Sequence, residues 1–113
     1  MKITHYSFGT ITIDGHTYTS DVIIYPDSVD SKWRRKEGHL LQIEDLADIM
    51  IAKPSVLVIG TGADGLMKVP GNTLEYLNSK GVEVHIHDTK KAAELYNMIA
   101  SQKPAIAALH LTC

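Results

Sequence analysis

The chain has 113 residues, 44% of them hydrophobic and 21% charged, with a formal net charge of −2. That length makes one domain with its own core and excludes a cofactor domain joined to a substrate domain. The composition excludes disordered and collagen-like classes, the charge argues against nucleic acid or an anionic membrane as partner, and the single cysteine excludes an internal disulfide. No apolar run approaches the ~18 residues of a membrane span, and Met1-Lys2-Ile3-Thr4-His5-Tyr6 is not a signal peptide, so a cytoplasmic protein is expected.

Ile3–Phe8 and Thr10–Ile13 are β-rich runs around Gly9, and Asp14-Gly15 follows them as a hairpin dipeptide, since both positions tolerate positive φ. His16–Thr19 is the return strand. Asp21–Tyr25 carries the apolar triplet Val22-Ile23-Ile24 and ends at Pro26, which has no N–H to give a ladder. The N-terminal quarter thus reads as an antiparallel meander. Pro26–Gly38 shows no period and reads as a long loop with Trp33-Arg34-Arg35-Lys36 at its middle, the kind of segment that is usually functional.

Ile43, Leu46, Ala47 and Met50 recur at helical spacing over 43–51, with Glu44 and Asp45 in the first turn and Lys53-Pro54 closing the helix. Val56-Leu57-Val58-Ile59 is uninterruptedly apolar with three β-branched residues, which predicts a strand buried on both faces. The Gly60-Thr61-Gly62-Ala63-Asp64-Gly65 turn then lets backbone approach something closely. Asn72 is placed to cap a helix through Lys80, stopped by Gly81. Val82–His87 alternates strictly, as a strand with one buried face does, and Asp88 or Thr89 caps a last helix carrying the stripe Ala92, Leu95, Tyr96, Ile99. Ala105–Leu111 reads as a final apolar strand.

A hairpin region followed by alternating strands and helices specifies an α/β domain over 1–113, with a mainly parallel sheet made mixed by the meander. Ligands of such sheets sit beyond the carboxyl ends of the strands, where the glycine turn lies.

Gly60, Gly62 and Gly65 spell GxGxxG after a strand, and Asp88 ends the next strand near the place of a ribose-binding acid. Dinucleotide binding requires the third glycine to open a helix, and the helix signals begin only at Asn72. The remaining readings of the turn are a tight bend or a backbone nest for a small anion. Trp33, Arg34 and Arg35 combine planar donors with an aromatic, as an anion clamp or partner anchor would, or as a solvated charge run with Trp33 against the core. His85 and His87 share a strand face but are too few to hold a metal, and no cofactor or metal is expected. His110 and Cys113 pair an imidazole with a thiol near the end of the sequence, where a catalytic group lacks support unless pinned down.

Leu57-Val58-Ile59-Gly60-Thr61-Gly62, Lys68-Val69-Pro70, Thr89 with Ala92 and Tyr96-Asn97, and His110-Leu111-Thr112-Cys113 together resemble a small single-domain family. That family contains an animal adipogenesis-associated protein, a mitochondrial complex I assembly factor and an uncharacterised methanogen protein. The resemblance runs from Asp14-Gly15 to Cys113. It implies a three-layer α/β fold with a mixed central sheet and one strand antiparallel to the rest, an activity not established, and assembly or scaffolding roles. Carried over by motif position, the shared residues are Gly60, Gly62, Pro70, Thr89, Tyr96, Asn97, His110 and Cys113. The family's turn motif is GxG, which makes Gly65 incidental. No mitochondrial presequence is seen here, so a mitochondrial role is not transferred.

The expected function is therefore a non-catalytic binding or assembly-type module, taking a protein partner or a small anion at a hollow shared by Gly60, Thr61, Gly62 and Trp33, Arg34, Arg35. The alternative is an enzyme or sensor holding a small anionic metabolite at the glycine turn, with His110 or Cys113 as the reactive group. A homo-oligomer stays open.

Overall fold

Asp14 and Gly15 take φ of +48° and +82°, the paired positive angles that a two-residue hairpin turn demands. They join β2 (Thr10–Ile13) to β3 (His16–Tyr18), and β1 (Ile3–Ser7) completes an antiparallel sheet in the order β1-β2-β3. The computed structural model describes all residues, 1–113. This meander is a sheet of its own and not an extension of the central one. Its strands bury one face only, with Ile11 and Ile13 inside and Thr10 and Thr12 between them, whereas β4 (Val22–Tyr25) buries Val22, Ile23 and Ile24 on both faces. Strands with two apolar faces belong inside a covered sheet; strands with one can serve as a cover.

The central sheet has the order β5-β4-β8-β6-β7. Here β6 (Val56–Thr61) lies parallel to both β7 (Glu83–His87) and β8 (Ile106–His110), while β4 pairs antiparallel with β8 and β5 (Ser28–Asp30) antiparallel with β4. One strand, β4, therefore runs against the other four. β5 falls where the sequence reads as loop: it is three residues of Ser-Val-Asp after a Pro26-Asp27 turn, too short and polar to show a period.

Alternation along the inner strands sorts the core into two halves. Val22, Ile24, Val56, Val58, Ala107 and Leu109 face the meander and helix α3 (Thr89–Ala100), which contributes Ala92, Ala93 and Tyr96. Ile23, Leu57, Ile59, Ile106 and Ala108 face the opposite layer. That layer is built from α1 (Ala47–Ile51), α2 (Gly71–Ser79), Trp33 and Leu41.

Helix α1 is shorter than the 43–51 pattern implies. Ile43–Leu46 forms a 3-10 turn, because the Asp45 carboxylate folds back to accept from the N–H groups of Gln42 (2.8 Å) and Lys36 (3.0 Å). Helix α2 starts two residues early, with Pro70 as its cap and Asn72 inside the first turn, and Gly81 (φ +76°) follows its end. No helix is long and apolar enough to cross a membrane.

Candidate functional site at the carboxyl ends of the strands

The glycine turn leaves β6 and closes onto the chain itself. A Cβ on Gly62 would stand 2.4 Å from the carbonyl carbon of Cys113, and one on Gly60 would meet Leu109 at 2.8 Å and the Thr89 hydroxyl at 2.9 Å. What approaches these glycines is therefore the Thr112–Cys113 segment and the start of α3. The Gly62 N–H donates to Thr89 Oγ1 (2.8 Å), and the Thr89 hydroxyl donates in turn to the His110 carbonyl. The Thr89 N–H returns a bond to the Gly62 carbonyl (3.1 Å), so the amino end of α3 points at protein backbone. Ala63 and Leu66 donate to the carbonyls of Thr112 (2.7 Å) and Cys113 (2.9 Å), and Thr61 Oγ1 donates to the His87 carbonyl (3.1 Å). One hydroxyl, on Thr89, thus ties the ends of β6 and β8 to α3.

Gly65 takes φ +68°, and a Cβ there would make only ordinary contact, 3.6 Å from Thr61 Oγ1. Helix α2 starts at Gly71, well past it, so the GxGxxG spacing does not build a helix mouth.

Other residues that the resemblance singles out make similar contacts. Asn97 accepts from the Ile3 N–H (2.9 Å) and donates to the Ile3 carbonyl (2.7 Å), fastening β1 to α3. Tyr96 is buried in the core below it, where burial, and secondarily the charge of Asp14, pushes its phenol up to about 12. Pro70 caps α2, and Cys113 is a half-buried free thiol. On the exposed edge strand, His85 pairs with Glu83 at 2.6 Å.

The tryptophan loop splits between surface and core. Arg34 is exposed and, with Trp33, Asp30, Lys32, Glu44 and Asp48, lines a hollow on the α1 side that includes no residue of the glycine turn. Arg35 is a buried ion, its side chain 3% exposed, with the guanidinium stacked 4.5 Å above the Trp33 ring. Its Nη2 donates to Asp21 Oδ2 and to the Gly38 carbonyl, both at 2.8 Å, and its Nε donates to the same carbonyl at 3.1 Å. The His110 ring completes the group, with Nδ1 2.8 Å from Asp21 Oδ2. Burial pushes the Asp21 carboxyl up, but hydrogen bonds from His110, the Leu111 N–H and Arg35 outweigh it and hold the group below the ordinary carboxylate range.

Asp21 is the residue sequence reading missed. Its one sequence-level signal is a carboxylate placed directly before a strand that is apolar on both faces, a position that demands a buried partner.

The tryptophan loop and the glycine turn do meet, through backbone. Leu40 bridges Lys68 in parallel, with Lys68 donating to the His39 carbonyl (2.8 Å) and Leu41 donating to the Lys68 carbonyl (2.9 Å). Trp33 packs on the α1–α2 side of the sheet, while Gly60 closes against α3 on the other. The contact between the two segments is therefore a seam, and His110 joins the two networks, its carbonyl in one and its imidazole in the other.

The fold and this seam define a small α/β domain with a mixed five-stranded sheet, a covering meander and a self-closed glycine turn. Residues 3–110 match the model of a family described as protein of unknown function (DUF498/DUF598), and the chain belongs to that family. It is similar to two proteins named NADH dehydrogenase (ubiquinone) 1 alpha subcomplex assembly factor 3, from Xenopus tropicalis and Danio rerio. The identities are 27% over 110 residues and 29% over 105 residues, covering 96% and 91% of this chain. The chain spans 59% of the length of each of these relatives. Among solved structures it is similar to a conserved hypothetical protein from Pyrococcus horikoshii OT3, with a TM-score of 0.85, 27% identity and full coverage of both chains. The expected three-layer mixed α/β fold is the one this chain shares with the Pyrococcus protein.

Proposed function

We propose that this chain is a non-catalytic protein-binding module of the assembly-factor type, which docks its partner on the rim where the tryptophan loop (31–42) meets the glycine-turn loop (62–70). The observation that carries this reading is the backbone seam between Leu40–Leu41 and Lys68, which turns two irregular segments into one surface of fixed shape. Leu66 stands 45% exposed on that surface, with His39, Ala63 and Lys68 exposed beside it. A rigid rim with an apolar centre and polar surround is the usual anatomy of a docking patch. The names of the Xenopus and Danio relatives support the same role.

A photo-crosslinking residue in place of Leu66 should yield discrete protein adducts in cells, and the same residue in place of exposed Glu94 on α3 should not. Adducts of equal yield at both positions, or none at Leu66, would refute the rim. Arg35 is unsuitable for such a test, because its substitution removes a buried ion pair; Arg34 beside it is exposed.

A further inference from the structure

Three buried side-chain polar atoms in this protein lack a hydrogen-bond partner: Trp33 Nε1, Arg35 Nη1 and His110 Nε2. Native proteins leave few such atoms, and each costs about 1–3 kcal/mol when left unpaired. All three here belong to side chains joined through Arg35. The Arg35 guanidinium lies 4.5 Å from the centre of the Trp33 ring, and Arg35 Nη2 lies 3.1 Å from His110 Nδ1.

A count of hydrogens fixes what these atoms can do. The two Nη2 hydrogens of Arg35 go to Asp21 Oδ2 and the Gly38 carbonyl, and its Nε–H goes to that carbonyl as well. Nothing remains on Nη2 for His110, so the 2.8 Å contact between His110 Nδ1 and Asp21 Oδ2 requires the proton to sit on Nδ1. The free ends are then two N–H bonds on Arg35 Nη1, the indole N–H of Trp33, and His110 Nε2. Three N–H bonds, two of them on a guanidinium, call for a ligand with several acceptor oxygens, as a carboxylate or a phosphate has.

We propose that Trp33, Arg35 and His110 form a buried receptor for one small oxyanion, a carboxylate or a phosphate. The glycine turn takes no part, since the N–H groups of Gly62, Ala63, Gly65 and Leu66 are already bonded within the chain. His39, an exposed residue, rests its ring edge-on against His110 at 5.4 Å, so the corner lies one side chain below the surface. The receptor shares the tryptophan loop with the docking rim, but anion titration of the isolated chain reads it without any protein partner.

Trp33 is the only tryptophan, so the indole N–H gives a single nitrogen-15 signal from the site. Titrating the full labelled chain with sodium phosphate, and separately with sodium acetate, should move that signal saturably, while sodium chloride at equal ionic strength leaves it in place. A response to phosphate alone or to acetate alone assigns the oxyanion class. The Trp33→Phe variant keeps the ring stack and lacks the donor, and its affinity by calorimetry should fall about tenfold. Three results would overturn the proposal: no response to either anion, a drift that never saturates, or an indole N–H that cross-relaxes with a trapped water and ignores both anions.

Discussion

His110 belongs to two networks that meet at one end of the sheet and are built on opposite terms. Its carbonyl enters the knot of Gly62 and Thr89, where the donors and acceptors named above all have partners within the chain. Its imidazole enters the corner of Asp21, Arg35 and Trp33, which holds three buried polar atoms with no partner. The glycine motif looks like a ligand cradle and is closed by its own chain; the tryptophan loop looks like a solvated charge run and contains a buried, incompletely bonded cation. A close-packed turn records only that something comes near, and the nearest thing can be protein. An unpaired buried donor is a sharper pointer to a ligand, because leaving it bare is costly.

The contrast can be broken at its strongest point first. Gly62→Ala puts a Cβ 2.4 Å from the backbone of Cys113 at a φ of +107°, so denaturant unfolding should show a loss of about 4 kcal/mol or more. Gly65→Ala, at φ +68° with ordinary contacts, should lose about 1 kcal/mol. Equal losses at the two positions would remove the distinction between GxG and GxGxxG.

Thr89 comes next. Thr89→Ala leaves the Gly62 N–H and the His110 carbonyl buried without that hydroxyl and should lose about 2–4 kcal/mol, while Thr89→Ser restores most of it. A serine variant as unstable as the alanine variant would mean that the methyl group, rather than the hydroxyl, holds the knot.

The smallest expected effect concerns the corner. The Asp21 carboxyl is held below its ordinary value of 3.8, so its contribution is complete above that pH and is lost as the pH falls through the folded value. Urea midpoints measured from pH 6 down to pH 2.5 should therefore drop more steeply in the wild type than in Asp21→Asn. Parallel curves would place the acid sensitivity in other carboxylates.

Much of the fold was legible in the order of residues. Val22-Ile23-Ile24 and Val56–Ile59 announce strands covered on both faces, and their alternation already divides the core between its two layers. Asp14-Gly15 announces its hairpin, and Asp88-Thr89 the start of α3, where Asp88 is the cap and its side chain accepts from the Lys91 N–H at 3.0 Å. The edge strand β5 was not legible, since three residues carry no period. Nor was the separation of the meander from the central sheet, because pairing partners are chosen in space.

The site divides along the same line. The sequence by itself determined that Gly60 and Gly62 must admit a close neighbour and that Trp33, Arg34 and Arg35 occupy an irregular segment, because those are properties of single residues and their immediate spacing. Tertiary structure alone decided that the neighbour is Thr112–Cys113, and that Arg35 finds Asp21 14 residues away in sequence while His110 finds it across 89. A buried charge is satisfied through space, and the strand order β5-β4-β8-β6-β7 is what brings those distant groups within hydrogen-bond reach.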